Sequence, residues 1–285
     1  MTKIIPKRNV GNLMAFQNQM KTLQEGEYDY HVEYSGNKRR IIYLDGNLQP
    51  RSISTYFGKR AEERFQGAHI VKEVKRELLQ RIDAGEKPPK FIPRTNVVSF
   101  NKPQIIDTID NLDGKCIAMD INSCYWVTAN LLGIVSDRLF EKYMENPKKW
   151  KKGLVSSIGA LNKKTATCEF KEGKIQTHYM GIEFGQLRPY YWAVINRVHD
   201  VMNAVIAECG DDYLMWLTDC VYVKAKSEDT ARQVMGSYGY DVSKMNALMI
   251  SVNKSAIHFR NDKKDLPTYI NYSERQDISS DFYND

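Results

Sequence analysis

Two aspartates stand where apolar strand patterns run out. In AMDINSCYWV (118–127), the run Ile117, Ala118, Met119 gives way to Asp120, then Ser123 and Tyr125; in DYLMWLTDCVYVKA, two apolar runs meet at Thr218 and Asp219. Strands remote in the chain become neighbours in a sheet, and these two would bring their carboxylates together. Paired carboxylates suit Mg2+ or Mn2+, hard cations that take oxygen ligands and keep positions open for substrate phosphates. Two such ions about 3.5 to 4 Å apart activate an attacking hydroxyl and offset charge on a leaving pyrophosphate, which is nucleotidyl transfer. The competing reading is that each aspartate only caps a turn, a position that favours aspartate anyway.

The surrounding pattern supplies elements to hold them. KCIAMD reads as a buried strand and NSCYWVTANLLGI as a turn entering a helix. In ENPKKWKKGLVSSIGALNKK, Asn146 can cap and Pro147 can take the first helical position, which predicts a helix over 146–162. TATCEFKEGKIQTHYM gives a hairpin around Gly173, and PYYWAVINRVHDVMNAVIAECG a long striped helix stopping at Gly210. Upstream, YDYHVEYSGNKRRIIYL reads as a hairpin with a Gly-Asn turn, followed by a helix that stops at Gly85 and Pro88. The Pro-rich EKPPKFIPR marks the boundary, so an N-terminal hairpin-and-helix region occupies 1–95, the main domain 96–260 and a polar tail 261–285.

Composition excludes several classes. With 285 residues, 42% of them hydrophobic, the chain is globular rather than disordered. A net charge of +6 is a mild bias toward polyanions. The five cysteines form no C-x-x-C pair and sit in apolar runs, which argues against a disulfide framework or a zinc site and for a reducing compartment. No stretch is long and apolar enough for a membrane span, and the polar start MTKIIPKRN lacks a signal-peptide core, so a cytoplasmic protein is expected. The five histidines are scattered without ligand spacing, and Tyr190, Tyr191 and Trp192 read as core packing ahead of a base-stacking platform. Asp107, Asp110 and Asp113 decorate a solvated helix ahead of the Asp120 strand.

Three motifs in order resemble the family B DNA polymerases. MDINSCY is similar to motif A (D-x-x-S-x-Y-P), LTDCVYV to motif C (D-T-D-S followed by apolar strand residues), and Lys151, Ser156 and Gly159 keep the spacing of motif B (K-x-x-x-N-S-x-Y-G). The resemblance covers roughly residues 110–225 and implies an α+β fold, a palm-like antiparallel sheet with packed helices and reduced fingers and thumb; the hairpin and helix upstream add a small N-terminal α/β region. It implies that Asp120 and Asp219 are the metal ligands, completed by the main-chain carbonyl of Ile121, with Mg2+ or Mn2+ as cofactor. Ser123 and its neighbouring amides would face the triphosphate, and Tyr125 would pack beneath the sugar and exclude a 2′-hydroxyl. Lys151 would reach the phosphates from the fingers helix, where Lys148 and Lys152 add field. A solvated lysine-rich helix end is the alternative for this run, and helix packing the alternative for Gly159. Lys254, in SVNKSAIHF, takes the place of a primer-strand lysine, or is a surface strand lysine.

The departures shape the expected activity. Leu217 replaces the first motif C aspartate, Trp126 stands at the motif A proline, Val155 and Ile158 replace the motif B asparagine and tyrosine, and Ala256 replaces the tyrosine after Lys254. The short spacing between motifs A and B leaves no long fingers insertion, and the N-terminal region shows no paired D-x-E element of a proofreading exonuclease. The expectation is a minimal polymerase of phage or mobile-element type, without proofreading, acting on a DNA primer-template and deoxynucleotides in the host cytoplasm, with a protein partner supplying missing fingers or the priming function. The alternative is a palm that has lost efficient catalysis and serves as a nucleic-acid-binding or assembly subunit. A primase or reverse transcriptase is a third reading, though reverse transcriptases carry adjacent aspartates where this chain has Thr218-Asp219.

Overall fold

The computed structural model describes residues 3–4, 7–10, 13–35, 38–45, 47, 50–57, 61–94, 98–171, 174–253, 256–262 and 268–271. In chain order the elements are β1 (Lys3–Ile4), β2 (Lys7–Val10), α1 (Leu13–Glu25), β3 (Tyr30–Ser35), β4 (Lys38–Leu44), β5 (Pro50–Tyr56), α2 (Ala61–Asp83), β6 (Val98–Phe100), α3 (Lys102–Asn111) and β7 (Lys115–Ile121). They continue with α4 (Cys124–Leu131), α5 (Asp137–Met144), α6 (Pro147–Gly159), β8 (Lys164–Lys171), β9 (Lys174–Phe184), α7 (Arg188–Cys209), β10 (Tyr213–Leu217), β11 (Cys220–Val223), α8 (Glu228–Ser237), β12 (Val242–Val252), β13 (Ala256–Asn261) and β14 (Thr268–Asn271). The fold is mixed α+β, and its strands pair antiparallel except β2 with β5.

The chain divides into two compact units, Met1–Lys90 with Gly133–Tyr191, and Phe91–Leu132 with Trp192–Asp285. The first carries two sheets, β2-β5-β4-β3 and β1-β8-β9. Alternation in KRRIIYL puts Ile41 toward Phe16 and Leu23 of α1, with Tyr30, Tyr43 and Ile53 beside them. Helix α6 starts as its sequence requires: the Asn146 side chain accepts from the Lys149 amide, and Pro147 fills the first turn. It crosses α2 at paired glycines, where a Cβ added to Gly67 would lie 3.1 Å from the Gly153 Cα. Between α2 and α5, Glu73 accepts both a 3.0 Å bond from the Lys142 ammonium and one from the Tyr143 hydroxyl.

The second unit is built on a seven-stranded sheet in the order β14-β13-β12-β7-β11-β10-β6, antiparallel throughout. Its centre follows β7, α7, β10, β11, α8, β12 in sequence and β12-β7-β11-β10 in space. That is the βαββαβ connectivity of the ferredoxin-like arrangement. Helices α7 and α8 share one face, where Ile117, Met119 and Ile121 of β7 meet Val198, Val201, Met202 and Val205 of α7 and Ala231 and Met235 of α8. Each of the larger of these side chains contributes about 1.5 to 3 kcal/mol of burial. The opposite face carries Cys116 and Ala118 with Cys220, Tyr222, Met249 and Phe259, and Ile105 of α3. Strands β13 and β14 extend one edge, and β14 lies within the polar stretch that closes the chain. The segment Gly133–Tyr191, which contains α6, enters this unit's sequence after α4 and ends just inside α7.

Candidate functional site

Asp120 lies near the end of the central strand β7, and Asp219 in the turn that leads into the neighbouring β11. β7 pairs β11 with Asp120 opposite Cys220, and the Ile121 amide donates to the Asp219 carbonyl at 3.1 Å. Both aspartates are half-buried. Strict alternation along β7 sends Ile117, Met119 and Ile121 to the α7 face and leaves Asp120 on the side of Ala118 and Cys220. The Cys124 thiol, buried at the start of α4, senses both acids: burial first, then the charge of Asp219 and of Asp120, push its pKa well above the usual thiol range.

Each acid lies within three residues of a non-glycine residue with left-handed backbone. Asp219 follows Thr218 (φ +57°) in the two-residue turn between Leu217 and Cys220, and Ser123 (φ +51°) stands three positions after Asp120, at the mouth of α4. Of the two turn residues only Thr218 has positive φ, the pattern of a II′ hairpin whose first position glycine normally takes. A branched side chain there costs roughly 1 to 3 kcal/mol, a strain typical of functional sites and held by surrounding structure. The Trp216 indole N–H donates to the Thr218 carbonyl at 2.8 Å. The Asn122 amide donates to the Asp241 carbonyl at 3.0 Å, while its side chain donates to the Asp241 carboxylate at 2.8 Å. Sequence reading missed these three partners; a threonine where a two-residue hairpin wants glycine was the one visible signal.

The motif A neighbours divide by exposure. Ser123 is exposed and makes no capping bond to the helix it precedes. Tyr125 is half-buried and packs against the α7-face cluster, and Trp126, at the family's proline position, is buried. The buried Thr128 and Tyr240 hydroxyls, 2.9 Å apart, tie α4 to the segment entering β12.

The motif B candidates form one exposed stripe on α6. Lys148, Lys151, Val155, Ser156 and Gly159 are all exposed, while Gly153, Leu154, Ser157 and Ile158 are buried. Lys152 is on the same helix, its side chain outside the described residues. A Cβ at Gly159 would meet nothing within 4 Å, so this glycine is not a packing contact; Gly153 is, its Cβ position falling 2.6 Å from Ile70 Cδ1 and 2.9 Å from the Gly67 Cα. Ile158, in place of the motif's tyrosine, belongs to the buried face. Lys254 lies outside the described residues.

Other residues singled out by type have structural partners. Asp107 pairs with Lys224 at 2.6 Å, and Asp113 with Lys115 at 3.1 Å. His199 is buried with its ring edge-on to Trp216 at 4.8 Å, and burial, with the Arg94 charge, lowers its pKa. Tyr190 donates to Glu86 at 3.1 Å, and Trp192 stacks on Phe91. Cys116, Cys124, Cys209 and Cys220 are free thiols in the interior. Among the described residues no helix is long and apolar enough to cross a membrane, and no group of three or more His, Cys, Asp or Glu gathers as a metal site. No protein-family model matches the chain, and comparison with curated proteins gives no match.

Proposed function

We propose that the chain is a reduced relative of the family B DNA polymerases, a template-directed nucleotidyltransferase without proofreading. The observation that carries this reading is the main-chain adjacency of Asp120, at the end of the central strand β7, and Asp219, in the turn entering its neighbour β11, joined through the Ile121 to Asp219 bond. The sheet with two helices on one face supports a palm, and the exposed Lys148, Lys151, Ser156 and Gly159 stripe supports a short fingers helix.

The donor types suit hard divalent cations: two carboxylates, Asp120 at the end of β7 and Asp219 in the turn entering β11, beside the Ile121 to Asp219 main-chain bond. Asp120, Asp219 and the Ile121 carbonyl would hold Mg2+ or Mn2+, which when bound lowers the pKa of the primer hydroxyl and offsets the pyrophosphate charge. Ser123 and the amides around it would orient the triphosphate, and Tyr125 would lie under the sugar and reject a 2′-hydroxyl. With Ile158 buried in place of tyrosine, the usual surface for checking the base pair is missing, so fidelity would be low. DNA primer-template and deoxynucleotides are the substrates, with a protein partner supplying fingers or priming; the economy suits a phage or mobile element working in the host cytoplasm.

The alternative, a catalytically weak palm acting as a nucleic-acid-binding or assembly subunit, draws on Leu217, an apolar, half-buried residue where motif C has its first aspartate. Primer extension with Mg2+ or Mn2+, comparing the native chain with Asp120→Ala and Asp219→Ala, separates the two. Extension lost in either variant supports the polymerase; DNA binding with no extension under either metal supports the binding subunit.

A further inference from the structure

We infer that Trp216 is a positioning residue for Asp219, an assignment that rests on the polymerase reading and deepens it. Thr218 holds a left-handed conformation (φ +57°) that a branched residue does not take unaided, and it lies one peptide bond before the candidate ligand. The Trp216 indole N–H donates to the Thr218 carbonyl at 2.8 Å, which fixes the peptide plane linking Thr218 to Asp219. The Ile121 amide, donating to the Asp219 carbonyl at 3.1 Å, fixes the plane that follows. The Asp219 main chain is therefore held on both sides.

The indole is itself immobile. Trp216 is 3% exposed, packed in the cluster that includes Val198 and Met202, and its ring meets the edge of His199 at 4.8 Å. A hairpin needing stability alone would be better served by glycine at 218, which adopts positive φ freely. Keeping threonine and bracing it with a buried donor yields one turn geometry rather than a set of them, the condition for presenting a ligand to a cation.

The test uses the full chain and four forms: native, Trp216→Phe, Thr218→Gly, and the double variant. Mn2+ binding is read directly from the electron paramagnetic resonance of the free ion, alongside primer extension and Tm. Trp216→Phe should raise the half-saturating Mn2+ concentration about 10- to 100-fold, the usual consequence of losing an orienting partner. Thr218→Gly in that background should recover most of the loss, since the turn no longer needs the brace. Should Trp216→Phe not fold, the benzothienyl isostere of tryptophan, which keeps the shape and lacks the N–H, takes its place. Unchanged Mn2+ binding and extension in the donor-less variant, with both lost in Asp219→Ala, would overturn the role of Trp216 and leave the polymerase reading intact. A native chain that neither binds Mn2+ nor extends a primer would overturn both.

Discussion

The Ile121 amide reaches the Asp219 carbonyl at 3.1 Å, so the main chains of the two acidic strand ends touch directly. Replacing either carboxylate with its amide preserves shape and this backbone bond while removing charge. Asp120→Asn or Asp219→Asn should therefore lower primer extension by about 10³-fold or more, the scale of losing several kcal/mol of cation-borne charge stabilisation. Tm should change by only a few degrees, and a variant that extends at the native rate would refute the metal role of that aspartate.

Tyr125 packs against the α7-face cluster and is half-buried, near the candidate acid Asp120 in sequence. Tyr125→Ala should raise ribonucleotide incorporation relative to deoxynucleotide by on the order of 10- to 100-fold, the range a small steric change commands. Steady-state incorporation of each nucleotide measures it, and an unchanged ratio removes Tyr125 from sugar selection.

Two glycines of α6 should respond oppositely to alanine. At Gly153 the new methyl would press on Ile70 and the Gly67 backbone, costing about 1 to 3 kcal/mol and lowering Tm. At Gly159 the methyl enters open space in a helical conformation, which should raise stability by about 0.5 to 1 kcal/mol. If Gly159 keeps a template base pair close to the helix, extension should fall in this more stable variant. Equal activity would mean the exposed glycine has no such role.

Burial pushes the Glu73 carboxyl upward, but hydrogen bonds from Tyr143 and Lys142 outweigh it and hold the pKa below the ordinary glutamate value. A folded pKa below the unfolded one means the unfolded chain binds more protons, so this stabilisation is complete above the usual carboxylate range and fades as pH falls through the folded value. Glu73→Gln should cost about 1 to 3 kcal/mol at neutral pH. Urea unfolding at descending pH should show the gap between native and variant narrowing below the usual carboxylate range; a gap constant down to the most acidic conditions would refute the assignment.

Burial also raises the thiols of Cys116, to about 12, and of Cys209, to about 11, besides that of Cys124. Maleimide at pH 8 should leave these and Cys220 unmodified in the native chain and label them all in denaturant. Peptide mass spectrometry reads the outcome, and rapid native labelling of Cys124 would mean that α4 opens.

Local rules made much of this molecule legible. Asn146 and Pro147 set the start of α6, Gly210 (φ +51°) ends α7, and the Thr218-Asp219 turn joins β10 to β11 where apolar runs meet polar residues. Helix α5 went unread because it is short, although the Ser136 side chain that accepts from the Leu139 amide was a cap signal. Sheet order was beyond local reading: β7 lies between β11 and β12 through pairings such as Asp120 with Cys220 and with Ser243. The bond from Asn122 to Asp241 likewise links residues whose proximity follows only from that order. Strain at Thr218 showed in the sequence only as a branched residue where a two-residue hairpin favours glycine.

Each compact unit is assembled from two stretches of chain, Met1–Lys90 with Gly133–Tyr191 and Phe91–Leu132 with Trp192–Asp285. Emerging from a ribosome, β7 must therefore wait for all of Gly133–Tyr191 before β11 and β12 can flank it, leaving a long-lived apolar ribbon in the nascent polypeptide. No single cut in the gene releases either half intact. Excising the Asp120-bearing half would require splicing Leu132 to Trp192 through a short linker.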